Sequence, residues 1–100
     1  MIWHIVRFDF SGIDADTRAD IERRLADLDA IDEVAWLRVA RDIDDADVTG
    51  LMTGFASVED LDTYRTHPDH LPVVGDIRDL GIAVARIDIA TDDDVTALPT

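Results

Sequence analysis

A chain of 100 residues with 47% hydrophobic side chains holds enough apolar material for one small core and leaves no room for a second domain. Its formal charge of −14, from 23 acids against nine bases, repels phosphate backbones and anionic headgroups, which argues against nucleic acid and membrane surfaces as partners. With no cysteine, disulfides, thiolate nucleophiles and Cys-ligated zinc are excluded together, so any chemistry falls to His, Tyr, carboxylates, Arg or a borrowed cofactor.

No apolar run approaches the roughly 18 residues of a membrane span, and Met1-Ile2-Trp3-His4 has neither the basic region nor the small-residue site of a secretion leader. A cytoplasmic location is expected. Every base is Arg and most acids are Asp, a skew that fits GC-rich coding or a salty cytosol better than a cationic ligand.

Residues 2–10 alternate, with Ile2, His4, Val6, Phe8 and Phe10 on one face and Trp3, Ile5, Arg7 and Asp9 on the other, which predicts a strand. Ser11-Gly12 breaks it, Asp14 or Asp16 can cap a helix, and Ile21, Leu25 and Leu28 recur at helical spacing, predicting that helix over about 16–28. Val34, Trp36, Leu37 and Val39 predict a second strand and residues 49–55 a third, joined by an acidic loop over 41–47. That loop lacks the turn glycine and the bidentate Glu of a calcium site. Gly50 and Gly54 open no helix and so form no phosphate cradle.

Ser57-Val58-Glu59-Asp60 reads as a capping-box-like start to a second helix, with Val58, Leu61 and Tyr64 on one face and an end before Pro68. Pro72 suits the first turn of a short helical stretch to Leu80, Gly81 ends it, and residues 82–89 alternate as a last strand. Residues 1–90 thus make one β-α-β-β-α-β domain of ferredoxin-like, α+β type with an extra helical segment, and residues 91–100 an acidic tail expected to fray. Helices on one face leave Trp3, Ile5 and Met52 on the other, and an apolar sheet face of that size predicts self-association, normally twofold.

The stretch Tyr64-Arg65-Thr66-His67-Pro68-Asp69-His70 gathers the single tyrosine and two of the three histidines. An imidazole takes or gives a proton near neutrality, and a phenol can donate to a carbonyl becoming an enolate. Tyr64 falls on the inward face of its helix, the Pro68 turn can bring His70 toward the same interior, and His4 can point there from the first strand. Each also has a purely structural reading: His70 capping the helix and fixing the turn, Tyr64 and His4 as satisfied core residues. His67 is assigned no chemistry, and His67, Asp69 and His70 are too few convergent ligands for a metal.

The N-terminal strand Met1 to Phe10, the helix start Phe55-x-Ser57-x-Glu59-x-Leu61 and the run Tyr64-x-x-His67-Pro68-x-His70 together resemble the stress-responsive dimeric α/β-barrel (Dabb) family over roughly residues 1–89. The resemblance implies a ferredoxin-like protomer that pairs into a dimeric barrel, with a pocket between helices and sheet in each. Some related plant proteins are polyketide cyclases that close a ring by intramolecular aldol chemistry, and their acid/base residues match His70 and Tyr64, with a strand histidine matching His4. This chain departs from them at Thr49, where they can carry another polar pocket residue, and in the aliphatic Ile21 and Leu25 of its first helix. Val6, Phe8, Leu51 and Val84 complete the implied pocket. Two readings stay open: a cofactor-free acid/base enzyme of cyclase type acting on an apolar or aromatic carbonyl compound, and a non-catalytic, stress-associated binding protein. A cofactor-free monooxygenase is a third, from which the His-Pro-x-His signature points away. No metal or cofactor is expected, and the volume of the pocket discriminates the first two readings.

Overall fold

The computed structural model describes residues 1–97. Four strands, β1 (Ile2–Asp9), β2 (Trp36–Arg41), β3 (Val48–Phe55) and β4 (Ala83–Ala90), form one sheet in the order β2-β3-β1-β4. All three pairings are antiparallel. Helix α1 (Ala15–Ala26) connects β1 to β2, and α2 (Val58–Arg65) and α3 (Leu71–Asp79) connect β3 to β4. This is the ferredoxin-like α+β arrangement.

The strand period decides which residues meet the helices. In β1, His4, Val6 and Phe8 are buried, and Phe10 continues the same face just past the strand end. Helix α1 starts on Asp14, whose carboxylate accepts from the Thr17 backbone N–H at 3.0 Å, and it lays Ile21 and Leu25 on the sheet. A 3₁₀ turn at Asp27–Ala30 then buries Leu28, so the predicted helix is two elements rather than one. Ser57 caps α2 by accepting from the Asp60 N–H, and Leu61 and Tyr64 are buried.

Val58 does not join them; it is 54% exposed. A step of three residues turns an α-helix by about 300°, so a 58-61-64 stripe drifts by about 120° and its first member leaves the core side. Gly81, at φ +71, reverses the chain after α3 in a conformation that a side chain would strain.

The predicted tail is held at its start, where the Trp3 indole N–H donates to the Thr91 hydroxyl at 3.0 Å and Thr91 donates to Asp93 at 2.6 Å. A short 3₁₀ turn covers Val95–Ala97; the last three tail residues lie outside the described residues.

Candidate functional site

Between the helices and the sheet lies a cavity of about 160 Å³. Its floor is apolar: Val6 and Phe8 come from β1, Leu51 from β3, Leu25 from α1, and Val74 and Ile77 from α3. The exposed members Val84 and Arg86 of β4 mark the side on which it meets solvent. His4, Arg65 and His70 supply the remaining lining.

Arg65 is the hub of the polar groups. Its backbone carbonyl lies 3.1 Å from His70 Nδ1. A carbonyl oxygen only accepts, so Nδ1 carries the proton and, in the neutral ring, Nε2 keeps the lone pair. Burial pushes the His70 pKa down, opposed by the Arg65 carbonyl and reinforced by the neighbouring His4 and His67. The Arg65 guanidinium donates to Asp88 Oδ2 at 3.0 Å and to Asp62 at 2.9 Å. The other Asp88 oxygen is hydrogen-bonded to His4 Nδ1. Burial alone would raise the Asp88 carboxyl, but its bonds to His4 and Arg65 outweigh that and hold it below the ordinary range.

Tyr64 stands behind this row. Its ring lies 4.3 Å from that of His70, 5.0 Å from Phe55 and 6.0 Å from His4, and the residue is wholly buried. Burial pushes the phenol up to about 12, an effect the neighbouring Thr53 hydroxyl partly offsets. Neither hydroxyl has hydrogen-bond geometry to a partner among the described residues. Tyr64 therefore packs against His70 without lining the cavity that His70 faces.

Two residues of the implied pocket lie elsewhere. Ile21 is buried on α1 but does not line the cavity, and Thr49 belongs to a separate polar cluster. There Arg18, buried on α1, donates to the Ala46 carbonyl at 2.6 Å and to the Thr49 hydroxyl at 3.1 Å, and lies over the Phe10 ring at 5.2 Å. Thr49 donates to Glu22 at 2.7 Å, and Glu22 also accepts two bonds from Arg41, the strongest of the influences that lower its pKa. The Thr49 hydroxyl is fully engaged in this cluster, one end of the sheet away from His4.

The histidines of the His-Pro-x-His run are both tied to the turn. His67 accepts from the Asp69 backbone N–H at 3.0 Å, and its carbonyl accepts from the backbone of His70 and Leu71. Among the described residues no group of three His, Asp or Glu side chains converges on a point that could hold a metal ion. The acidic loop closes on itself, with Asp42 accepting from the backbone of Asp44 and Asp45.

Reasoning from the sequence missed Asp88, Arg65 and Arg86. The available signal was the two-residue period of β4, which puts Val84, Arg86 and Asp88 on the helix side and leaves Ile87 and Ile89 on the other. The register then places Asp88 directly opposite His4 and Arg86 opposite Val6.

The Stress responsive A/B Barrel Domain, Dabb, matches the chain over residues 2–90. No curated protein matches it. Solved structures similar to it include a putative antibiotic biosynthesis monooxygenase from Deinococcus radiodurans, with a TM-score of 0.78 at 10% identity, covering 99% of this chain and 100% of that one. A dimeric ferredoxin-like protein of unknown function from Thermobifida fusca superposes with a TM-score of 0.77 at 20% identity, covering 90% of each chain. The cofactor-independent oxygenase SnoaB from Streptomyces nogalater superposes with a TM-score of 0.75 at 14% identity, covering 93% of this chain and 94% of that one.

Proposed function

We propose that this chain, which belongs to the stress-responsive A/B barrel (Dabb) family, works as a homodimer whose helix-side cavity binds a small apolar or aromatic carbonyl compound and moves a proton on it without a cofactor. The observation that carries the reading is His70: Nδ1 is held by the Arg65 carbonyl, which leaves Nε2 as the free base of a ring that lines the cavity beside its apolar floor. Its lowered pKa keeps the imidazole neutral at pH 7, ready to accept a proton from the carbon next to a carbonyl. The electron pair left behind moves onto the carbonyl oxygen, and the proton returns from His70 to the carbon to close the cycle.

Size narrows the compound. Apolar cavities of roughly 150 Å³ take up benzene, whereas drug-sized ligands need about 300 Å³ or more. At about 160 Å³ this cavity suits a single ring better than an extended polyketide. Tyr64, packed behind His70, supports the imidazole by ring contact instead of donating to substrate.

The test is deuterium exchange at the methyl group of acetophenone, followed by proton NMR in D₂O. The protein should accelerate exchange and His70→Gln should remove the acceleration; equal rates for the two proteins would end the acid/base reading. The second reading, binding without catalysis, is favoured by the His70 and His67 bonds to turn backbone, which serve the loop whatever the cavity does. It predicts a ligand-dependent rise in melting temperature with no exchange. The oxygenase names of two structural neighbours come at 10% and 14% identity and bring only a common fold.

The dimer reading rests on the outer face of the sheet. Ile5 pairs with Met52 on one side and Ile87 on the other, a continuous apolar row in which Ile87 is 57% exposed. Trp3 and Trp36 lie edge to face at 5.4 Å on the same surface. A second copy that buries this row gives a dimer, as the Thermobifida fusca neighbour is described to be.

A further inference from the structure

Six of the nine arginines are ion-paired with carboxylates: Arg7, Arg18, Arg23, Arg24, Arg41 and Arg65. Arg38 lies over the Trp36 ring. Among the described residues that leaves Arg78 and Arg86 with neither an ion pair nor a ring contact, in a chain where acids outnumber bases by more than two to one. Of these two, Arg86 lines the cavity, on the side where it opens. Its opposite neighbour across the β1–β4 ladder is Val6, an apolar floor residue, so nothing on the facing strand compensates the guanidinium.

The composition of the lining points the same way. Its polar members are all nitrogen side chains, His4, Arg65, His70 and Arg86, and among the described residues no Asp or Glu lines it. Asp88, beside it, is neutralised by its bonds to His4 and Arg65, and Arg65 is itself committed to Asp88 and Asp62. A planar guanidinium presents paired N–H donors that match the two oxygens of a carboxylate.

We infer that the cavity selects a small monoanionic acid, an apolar or single-ring body carrying one carboxylate, with the ring on the Val6, Phe8 and Leu51 floor and the carboxylate on Arg86. This rests on the reading that the cavity admits a small apolar compound, and it assigns Arg86 as the residue that sets specificity. The protein's overall negative charge repels anions in general, so an anion that binds here does so through complementarity confined to the cavity mouth.

The test compares benzoate with its neutral isostere benzamide, each titrated onto the intact protein by ligand-observed NMR at neutral pH and low salt. The parent should bind benzoate about tenfold more tightly than benzamide. Arg86→Gln, an exposed change on the sheet edge, should bring the two affinities together by weakening benzoate alone. Arg78→Gln makes the same change in net charge away from the cavity and should leave the preference intact. If benzamide matches benzoate on the parent, if the preference survives in Arg86→Gln, or if Arg78→Gln erases it equally, the assignment is overturned while the cavity reading stands. If neither compound binds, both fall.

Discussion

Asp88 and His4 sit directly opposite each other on adjacent strands, and the Asp88 carboxylate joins the His4 imidazole to the Arg65 guanidinium, one oxygen for each. Asp88→Asn should cost about 1–3 kcal/mol, because a charge-assisted bond is weakened at each oxygen, with solvent at Arg65 drawing the value to the low end. Denaturant unfolding reads this directly. A variant as stable as the parent would mean that solvent already screens both bonds.

Tyr64→Phe should behave unlike most losses of a buried hydroxyl. The phenol oxygen has only the neighbouring Thr53 hydroxyl beside it, without full hydrogen-bond geometry, so its removal should change stability by no more than about 1 kcal/mol in either direction. A thermal midpoint several degrees below the parent's would show that the hydroxyl has a partner. Comparing ligand-induced stabilisation in the same two proteins then separates a packing role for Tyr64 from a role at the ligand.

The pH dependence comes from the lowered pKa of His70. The unfolded chain takes up the His70 proton near about pH 6.5, while the folded chain holds the ring neutral to lower pH. The stabilisation is therefore complete above about pH 6.5 and is lost as the pH falls through that value toward the folded pKa. His70→Gln should show a shallower fall in melting temperature between about pH 7.5 and 5.5 than the parent. Parallel curves would place the imidazole in contact with solvent.

Met52→Asp puts a carboxylate in the middle of the Ile87–Ile5–Met52 row, where a second protomer would leave it without a partner. Light scattering at micromolar concentration should give a dimer for the parent and a folded monomer for the variant. A parent that is monomeric there would remove the dimeric barrel from consideration.

Salt should stabilise the protein. Repulsion among 23 acids opposes compaction, and it weakens as the Debye length shrinks from about 10 Å at 0.1 M to about 3 Å at 1 M. The melting midpoint should rise with sodium chloride; a flat or falling curve would show that local pairs such as Arg41–Glu22 and Arg24–Asp76 already compensate the charge.

Local chemistry was legible in the sequence wherever one segment determined it. The alternation of His4, Val6 and Phe8, the Ser57 cap, Pro72 in a first turn and Gly81 after α3 each need only their neighbours to be read. The Pro68 turn allowed His70 to reach the interior, and it lines the cavity, while its bond to the Arg65 carbonyl fits the turn-fixing role equally. What escaped depended on partners far away in the chain. Arg18 on α1 is held by Ala46 and Thr49, which lie 28 and 31 residues further along the chain. Asp88 meets His4 across 84 residues, and only the strand register brings them together. Whether Tyr64 reached the cavity turned on which ring lay in front, a matter of packing that no spacing encodes.

The two polar clusters divide the molecule mechanically. Arg18 fastens the start of α1 to the β2–β3 hairpin through Ala46 and Thr49, so slow amide hydrogen exchange in those segments should rise and fall together as one cooperative unit. Strand β4 is exposed at every residue and, among the described strands, pairs with β1 alone. It carries Val84 and Arg86 of the cavity wall. The side on which the cavity meets solvent is thus built by an edge strand, whose amides should exchange sooner than those of β1 and β3 at the centre of the sheet.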